Sequence, residues 1–359
     1  MVRKTLLDTH IYFKDDGFQN INQYLTDKKP SVIFVLVDQN THEHCLPVFL
    51  QKIDTDIRIE IIEIEAGEVY KTIDTCTGVW SAISELGGDR NSLLINLGGG
   101  VVTDLGGFVA CTFKRGIPFI QVPTTLLSMV DASIGGKNGV DLDALKNQVG
   151  LIQQPNMIVI DPVFLKTLPY NELRSGFAEM LKHGLIYDSN YWKTLTNLKE
   201  ISSKVLSAFI EPSVQIKQAV VSEDPTEQGL RKILNFGHTL GHAIESYFLT
   251  HKTKKTLLHG EAIAIGMILE AWLSHKICGL PEKYFNEIAN YFSGLYEAIT
   301  FENEDIIAVI GLLKHDKKNS HGAVLFVLLE NIGQPIIDIQ VDNKLIINAF
   351  NKYNLLQKN

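Results

Sequence analysis

Five short runs dominate the first half of the chain: SVIFVLVD (31–38), IRIEIIEIEAG (57–67), NSLLINLGGG (91–100), IPFIQVP (117–123) and NMIVID (156–161). Each is rich in Val and Ile, and each ends in Gly, Pro or Asp. Polar, helix-like segments lie between them. Strands that alternate with helices build a parallel sheet covered on both faces, and such doubly buried strands read as near-continuous apolar runs. Ligands of these sheets sit at the carboxyl ends of the strands. Those ends carry Asp38, Gly98, Gly99, Gly100 and Thr124 here.

After about residue 165 the character changes. Amphipathic helical patterns cover 170–187, 199–221, 232–249, 259–278 and 283–296. Near the C-terminus, AVLFVLLENIGQPIIDIQV reads as a two-stranded hairpin with ENIGQ as its turn. The expected fold class is α/β: a Rossmann-like parallel-sheet domain over 1–165, followed by a mainly α-helical domain over 166–359.

Composition narrows the function classes. A chain of 359 residues with 45% hydrophobic content can bury large cores. The net charge of -8 argues against nucleic acid as a partner, which needs a basic footprint. It leaves room for a small anionic substrate held by a few local Lys and Arg residues. No run reaches the roughly 18 apolar residues of a membrane span. The longest apolar stretch, AIAIGMILEAWL, is interrupted by Glu270. The N-terminal MVRKTLLDTHIYFKDD has no signal-peptide core, and four scattered cysteines without CxxC spacing read as reduced thiols. A cytoplasmic protein is expected.

LINLGGGVVTDLGGFVA follows a strand and opens into a helical pattern. Consecutive glycines let backbone approach a ligand, and a helix N-terminus offers N–H groups to phosphate. The strict GxGxxG fingerprint is absent, so a tight strand–helix turn is the competing reading. VPTT adds two hydroxyls at the next strand end. DASIGGKNGVDLDALKNQVG puts Asp131, Lys137, Lys146 and Asn147 on what reads as a glycine-broken loop.

RKILNFGHTLGH (231–242) is the densest polar stretch. Taken as one helix, it aligns Arg231, Asn235, His238 and His242 in a single stripe, opposite Ile233, Leu234, Leu240 and Ile244. A water-facing surface helix would look the same. Two other segments weigh against that. HGEAIAIGM places His259 where a helix begins, and RSGFAEMLKHGLI sets Glu179 and Lys182 in an otherwise apolar helix. A packed helix seldom carries a carboxylate without a partner. Glu179 with two of His238, His242 and His259 would make three N/O ligands with an open position, the pattern of a catalytic Zn²⁺. Buried, hydrogen-bonded histidines are the alternative.

The segments GGGVVTDLGGFVA, FKRG, VPTTLLSMVDASIGGKNGVD, LKN, GFAEMLKHG, RKILNFGHTLGHAIE and LHGEAIAIGM resemble, in order, the 3-dehydroquinate synthase family of sugar phosphate cyclases. The resemblance implies an NAD⁺- and Zn²⁺-dependent enzyme, with Co²⁺ as a possible substitute. Its implied substrate is 3-deoxy-D-arabino-heptulosonate 7-phosphate, converted to 3-dehydroquinate and phosphate through transient oxidation, phosphate elimination, re-reduction, ring opening and aldol closure. The first domain would bind NAD, and the second would bind metal and substrate. Carried onto this chain, the metal ligands fall on Glu179, His238 and His259. His242 falls on a position that contacts substrate and moves protons, and Glu227 on one assigned to proton transfer. Arg115, Asn147, Lys182, Lys217, Arg231 and Asn235 match substrate contacts. Gly99, Gly100, Val101, Asp104, Thr124, Thr125, Asp131, Lys137 and Lys146 match NAD contacts, as do Asp38, Glu68 and Lys71 less closely. HDKKN would add a phosphate-binding lysine, either Lys317 or Lys318. The resemblance also implies a homodimer.

Two other enzyme readings share features with this one. A related cyclase, such as a valiolone or inosose synthase, would act on a different sugar phosphate. Arg231 and Asn235 favour a carboxylated substrate. A zinc- or iron-dependent alcohol dehydrogenase would share the layout and the HxxxH helix but release NADH.

Overall fold

The computed structural model describes residues 9–142, 145–313 and 324–357, so Lys317 and Lys318 lie outside the described residues. The chain forms two compact units, Met1–Gly176 with Ser202–Gln218, and Phe177–Ile201 with Ala219–Asn359. The division falls after Gly176, and a later segment returns to the first unit.

The first unit runs β1 (His10–Phe13), α1 (Lys14–Lys28), β2 (Ile33–Asp38), α2 (Gln39–His44), α3 (Leu46–Leu50), β3 (Ile59–Ile64), α4 (Ile73–Glu85) and β4 (Leu93–Gly98). It continues through α5 (Gly100–Thr112), β5 (Phe119–Pro123), β6 (Lys137–Leu142), β7 (Leu145–Ile152) and β8 (Met157–Ile160). Then come α6 (Tyr170–Ile186), α7 (Ser189–Thr196), α8 (Ser203–Leu206) and α9 (Ile210–Glu223). Of these, α7 belongs to the second unit and α8 to the first.

Six strands form one parallel sheet in the order β1-β8-β5-β4-β2-β3. β4 is buried along its whole length, as its LLINLG sequence requires of a strand covered on both faces. On one side Phe34, Leu36 and Leu94 pack with Val79 and Ile83 of α4 and Leu105 and Val109 of α5. From β2 the chain steps outward to β3, then returns to place β4 on the other side of β2. The order of growth therefore reverses between β2 and β4, and that is where a crevice for ligand opens in sheets of this kind. Asp38 and Gly98–Gly100 stand at those two strand ends. Asp38 also starts α2 with a reciprocal cap: its Oδ1 accepts from Thr41 N at 2.8 Å, and Asp38 N donates to Thr41 Oγ1 at 2.9 Å.

The expected parallel-sheet domain followed by a mainly helical one is what the chain adopts, with three local corrections. First, the glycine-broken loop 131–150 contains an antiparallel hairpin, β6 with β7. Asn138 pins it by donating to Gly136 O and Gln153 O, both at 2.8 Å. Second, the 199–221 pattern is two helices. Ser202 caps α8, and Ser207 Oγ donates to Lys204 O at 2.8 Å, a local bond that competes with helix continuation before α9 starts.

Third, 232–249 is not one helix. Leu230–Asn235 is a 3₁₀ turn, and the second unit's α10 (His238–Thr250) begins after a break at Gly237. Gly237 has φ +78°, a left-handed backbone that few side chains tolerate, and a Cβ there would lie 2.4 Å from Met267 Cγ. Arg231 and Asn235 are thus not on the stripe that His238 and His242 share. The unit continues with α11 (His259–Ile277), α12 (Glu282–Leu295), α13 (Asn303–Leu313), the hairpin β9 (Leu325–Asn331) with β10 (Gln334–Gln340), and α14 (Asn343–Leu356). α11 is buried nearly all round, from Ala262 to Leu273, so it forms the spine of this unit.

Candidate active site

Three helices of the second unit bring Glu179, His238 and His259 together. Glu179 lies on α6, His238 is the first residue of α10, and His259 is the first residue of α11. His238 Nε2 and His259 Nε2 each sit 3.4 Å from Glu179 Oε1. One ligand atom from each residue lies within 4.8 Å of the others. Tetrahedral zinc with bonds of roughly 2.0–2.1 Å separates its ligand atoms by about 3.3 Å. The two measured edges match that separation.

Other features of the three side chains also suit a cation. Glu179 is fully buried, and among the described residues neither carboxylate oxygen has a well-aligned hydrogen-bond donor. His238 Nδ1 lies 3.1 Å from Phe236 O, and His259 Nδ1 lies 3.3 Å from Glu245 Oε2. With Nδ1 engaged as donor, each ring turns an Nε2 lone pair toward Glu179. Two imidazoles and a carboxylate are a donor set that zinc and cobalt accept. The residues therefore fit a divalent metal.

Charge in the cluster is uneven. Burial alone would raise Glu179, but Lys182, with His238 and His259, holds its carboxyl well below the usual range. Lys182 is itself buried and ion-paired with Glu179 one turn away on α6. Burial, with Lys182 nearby, pushes His238 well below its ordinary value. Burial works the same way on His259, but the carboxylates of Glu245 and Glu179 outweigh it and push that imidazole up to about 10. A field that favours an imidazolium between two carboxylates is one that favours a metal cation.

His242 takes a different place. It lies one turn along α10 from His238, with ring centroids 5.0 Å apart, and its Nδ1 is 3.3 Å from Glu245 Oε2. It groups with Glu245 and His259 rather than with Glu179. Arg231 and Asn235 lie in the 3₁₀ turn before the break at Gly237, and Glu227 lies in the segment leading into it. There Asn235 Nδ2 donates to Glu227 Oε1 at 2.8 Å. Arg231 is 2% exposed, and its guanidinium donates to Pro225 O at 2.7 Å.

In the first unit, most of the remaining expected residues form pairs. Lys71 Nζ donates to Asp104 Oδ2 at 2.6 Å and to Asn147 Oδ1 at 2.7 Å. Lys146 pairs with Glu68 at 2.9 Å. Lys217 Nζ donates to Asp131 Oδ1 at 2.6 Å and to Asp131 O at 2.7 Å. Gly99, Gly100 and Val101 open α5, while Thr124 and Thr125 follow β5, with Thr124 N bonded to Gly98 O at 2.9 Å. Lys137 starts β6 and is exposed. Arg115 ends a 3₁₀ turn after α5. Arg115, Asn147 and Glu227 have φ of +70°, +52° and +61°, and only four other non-glycine residues among those described have positive φ. Such conformations concentrate where function over-determines the backbone.

Residues 61–175 match the 3-dehydroquinate synthase N-terminal family, and residues 176–319 match the 3-dehydroquinate synthase C-terminal family. A 3-dehydroquinate synthase from Parabacteroides distasonis is 41% identical over 335 residues, covering 93% of this chain and 94% of that protein. The chain belongs to the 3-dehydroquinate synthase family. A 3-dehydroquinate synthase from Rippkaea orientalis is 44% identical over 291 residues, covering 79% of this chain and 78% of the relative. Among solved structures, that of 2-deoxy-scyllo-inosose synthase complexed with carbaglucose-6-phosphate, NAD⁺ and Co²⁺ matches with a TM-score of 0.81 at 25% identity, over 95% of this chain and 96% of that one.

Two buried carboxylates on α10 and α11, Glu245 and Glu270, are not among the residues the sequence points to. Glu245 touches both His242 and His259. Glu270, noted only as the residue that interrupts an apolar stretch, accepts from Gly237 N at 2.6 Å and Leu240 N at 3.1 Å. It caps α10 in place of the side chain that Gly237 lacks. The signal for both was available: an acid inside an otherwise buried helix needs partners.

Proposed function

We propose that this enzyme converts 3-deoxy-D-arabino-heptulosonate 7-phosphate to 3-dehydroquinate and phosphate, as a phosphate-eliminating lyase that uses NAD⁺ and a divalent metal, Zn²⁺ or Co²⁺. Family membership supports the activity. The observation that carries the metal dependence is the Glu179–His238–His259 cluster, with both Nε2–Oε1 edges at 3.4 Å. When bound, the metal supplies a Lewis acid for a secondary alcohol and NAD⁺ a hydride acceptor that is regenerated within each turnover.

The chain's own residues supply position and charge. Lys182, buried against Glu179, puts a fixed cation beside the cluster for an anionic substrate. Arg231 and Asn235 would offer a guanidinium and an amide suited to a carboxylate, and Glu227, which accepts from Asn235, would exchange a proton there. His242, its Nδ1 held by Glu245, presents Nε2 as the group that moves protons. In the first unit Gly99, Gly100 and Val101, with Thr124 and Thr125, would take the dinucleotide's phosphates at the strand ends. Asp38, Glu68, Lys71, Asp104, Asp131, Lys137 and Lys146 complete the NAD contacts in this reading, while Arg115, Asn147 and Lys217 contact substrate.

No helix among the described residues is long and apolar enough to cross a membrane. The reading also carries a cytoplasmic homodimer, which light scattering on the purified chain would test. The decisive experiment combines the protein with the heptulosonate phosphate, Zn²⁺ and limiting NAD⁺. Phosphate and 3-dehydroquinate should be released in equal amounts, exceeding NAD⁺ many-fold. Stoichiometric build-up of NADH would instead make the chain an alcohol dehydrogenase. Activity on another sugar phosphate, with none on this one, would make it a related cyclase.

A further inference from the structure

Glu245 lies on α10, one turn after His242, and is 5% exposed. A single oxygen of its carboxylate, Oε2, is 3.3 Å from His242 Nδ1 and 3.3 Å from His259 Nδ1. These two histidines come from different helices, and their ring centroids are 5.6 Å apart. One buried oxygen therefore faces the same nitrogen on both rings.

The consequence concerns tautomers. A neutral imidazole is a donor at one nitrogen and an acceptor at the other, and a carboxylate accepts only. Facing Glu245, each Nδ1 is held as the donor, so each Nε2 becomes the basic end. For His259, Nε2 is the atom 3.4 Å from Glu179 Oε1, where a metal would bind. His238 gets the same restraint from a different group, the carbonyl of Phe236. For His242, Nε2 is the end that would exchange protons in the proposed function.

We propose that Glu245 is a positioning residue that sets the ring orientation and tautomer of two histidines with different tasks: the metal ligand His259 and the proton-handling His242. This rests on the metal-dependent reading above. It assigns Glu245 no bond to metal or substrate. Its effect should appear twice, once in metal affinity through His259 and once in turnover at saturating metal through His242.

The test compares Glu245→Gln, Glu245→Ala and Glu179→Gln with the parent chain, each checked for folding by circular dichroism. Gln keeps the side-chain volume and a carbonyl acceptor, so it guards against simple misfolding of the Ala variant. Zn²⁺ affinity is read by competition with a chromophoric chelator, and ligand geometry by the visible spectrum of the Co²⁺-loaded protein. An orienting partner of a metal ligand contributes about 10–100-fold in affinity. Glu245→Gln should weaken Zn²⁺ within that range and Glu245→Ala more, while Glu179→Gln loses nearly all of it. With metal saturating, Glu245→Gln should keep its KM and still show a lower kcat.

Unchanged Zn²⁺ affinity and unchanged kcat in Glu245→Ala, alongside metal loss in Glu179→Gln, would overturn the proposal and leave the metal reading standing. Metal loss in Glu245→Gln as complete as in Glu179→Gln would also overturn it, by making Glu245 a ligand in a His242–Glu245–His259 site. Full retention of metal by Glu179→Gln would remove the reading beneath it.

Discussion

Gly266→Ala tests what holds the Glu179–His238–His259 cluster together. Gly266 lies on α11 where α10 crosses it, and a Cβ there would sit 2.0 Å from Gly237 O and 2.8 Å from Gly241 N. Carbon and carbonyl oxygen approach to about 3.3 Å in close packing, so the shortfall is on the order of 1 Å. The obstructing atoms are backbone, and no rotamer change relieves them. Overpacking of this kind costs roughly 1–3 kcal/mol, offset by about 1 kcal/mol from the better helix propensity of Ala. A net loss of up to about 2 kcal/mol is expected in urea denaturation.

The larger effect should be on metal. Gly237 immediately precedes His238, and Gly266 lies two turns along α11 from His259, so parting the helices parts the two Nε2 atoms. Zn²⁺ affinity, measured by chelator competition, should fall at least about tenfold, since disturbing the orientation of metal ligands costs about 10–100-fold in affinity. Gly311→Ala is the control. It lies on α13 with nothing within 4 Å of its would-be Cβ, and should be neutral or stabilising by up to about 1 kcal/mol. A Gly266→Ala protein with parental stability and parental Zn²⁺ affinity would refute the argument that this crossing positions the histidines.

The other predictions concern single side chains. His238→Ala should lose Zn²⁺ on dialysis, by elemental analysis, while His242→Ala keeps it and loses about 10²–10⁴-fold in kcat; equal metal loss from both folded variants would place both rings on the metal. Glu270→Ala leaves two buried N–H groups of α10 without their acceptor and should cost roughly 1–3 kcal/mol in urea denaturation, whereas a surface-like effect under 0.5 kcal/mol, about the usual surface limit, would discount the cap. Arg231→Lys should lower kcat/KM by at least about tenfold, because an ammonium cannot reproduce the guanidinium fork; its burial means stability must be measured alongside. Asp305 is held below the usual carboxylate range: burial raises it, but hydrogen bonds from Lys254 and Tyr247 outweigh that. Such a group stabilises above its unfolded value near 4 and loses that contribution as pH falls through the folded value, so Asp305→Asn should flatten the acid limb of a stability–pH curve below about pH 4.

The sheet was readable because doubly covered strands announce themselves as near-continuous runs of Val, Ile and Leu with turn residues at their ends, as in β2 and β4. The hairpin β6–β7 was not, because KNGVDL and LKNQVGLI alternate weakly and the bonds that pin them come from Asn138, a residue that also favours loops. The four-residue β1 is too short to carry a period. In the site, Glu179 and the three histidines could be named from residue chemistry. Their convergence could not, because it depends on a crossing at Gly237, Gly241 and Gly266, and glycine carries no apolar periodicity. Extending one helix back through Gly237 to Arg231 shows the same limit. The spacing fits a helix, but tight packing against Met267 demands a left-handed residue there.

Arg115, Asn147 and Glu227 hold their functional groups on left-handed backbone. Glycine adopts that conformation without the roughly 1 kcal/mol or more that other residues incur. A search of this chain for stabilising substitutions would therefore favour glycine at Arg115, whereas at Asn147 and Glu227 the same change would also strip the acceptors of Lys71 and Asn235. In the proposed reading, the gain at Arg115 would remove a working side chain. In that reading the best-folded version of this molecule and the working one are different sequences, and a screen that scores only thermal stability would select the wrong one.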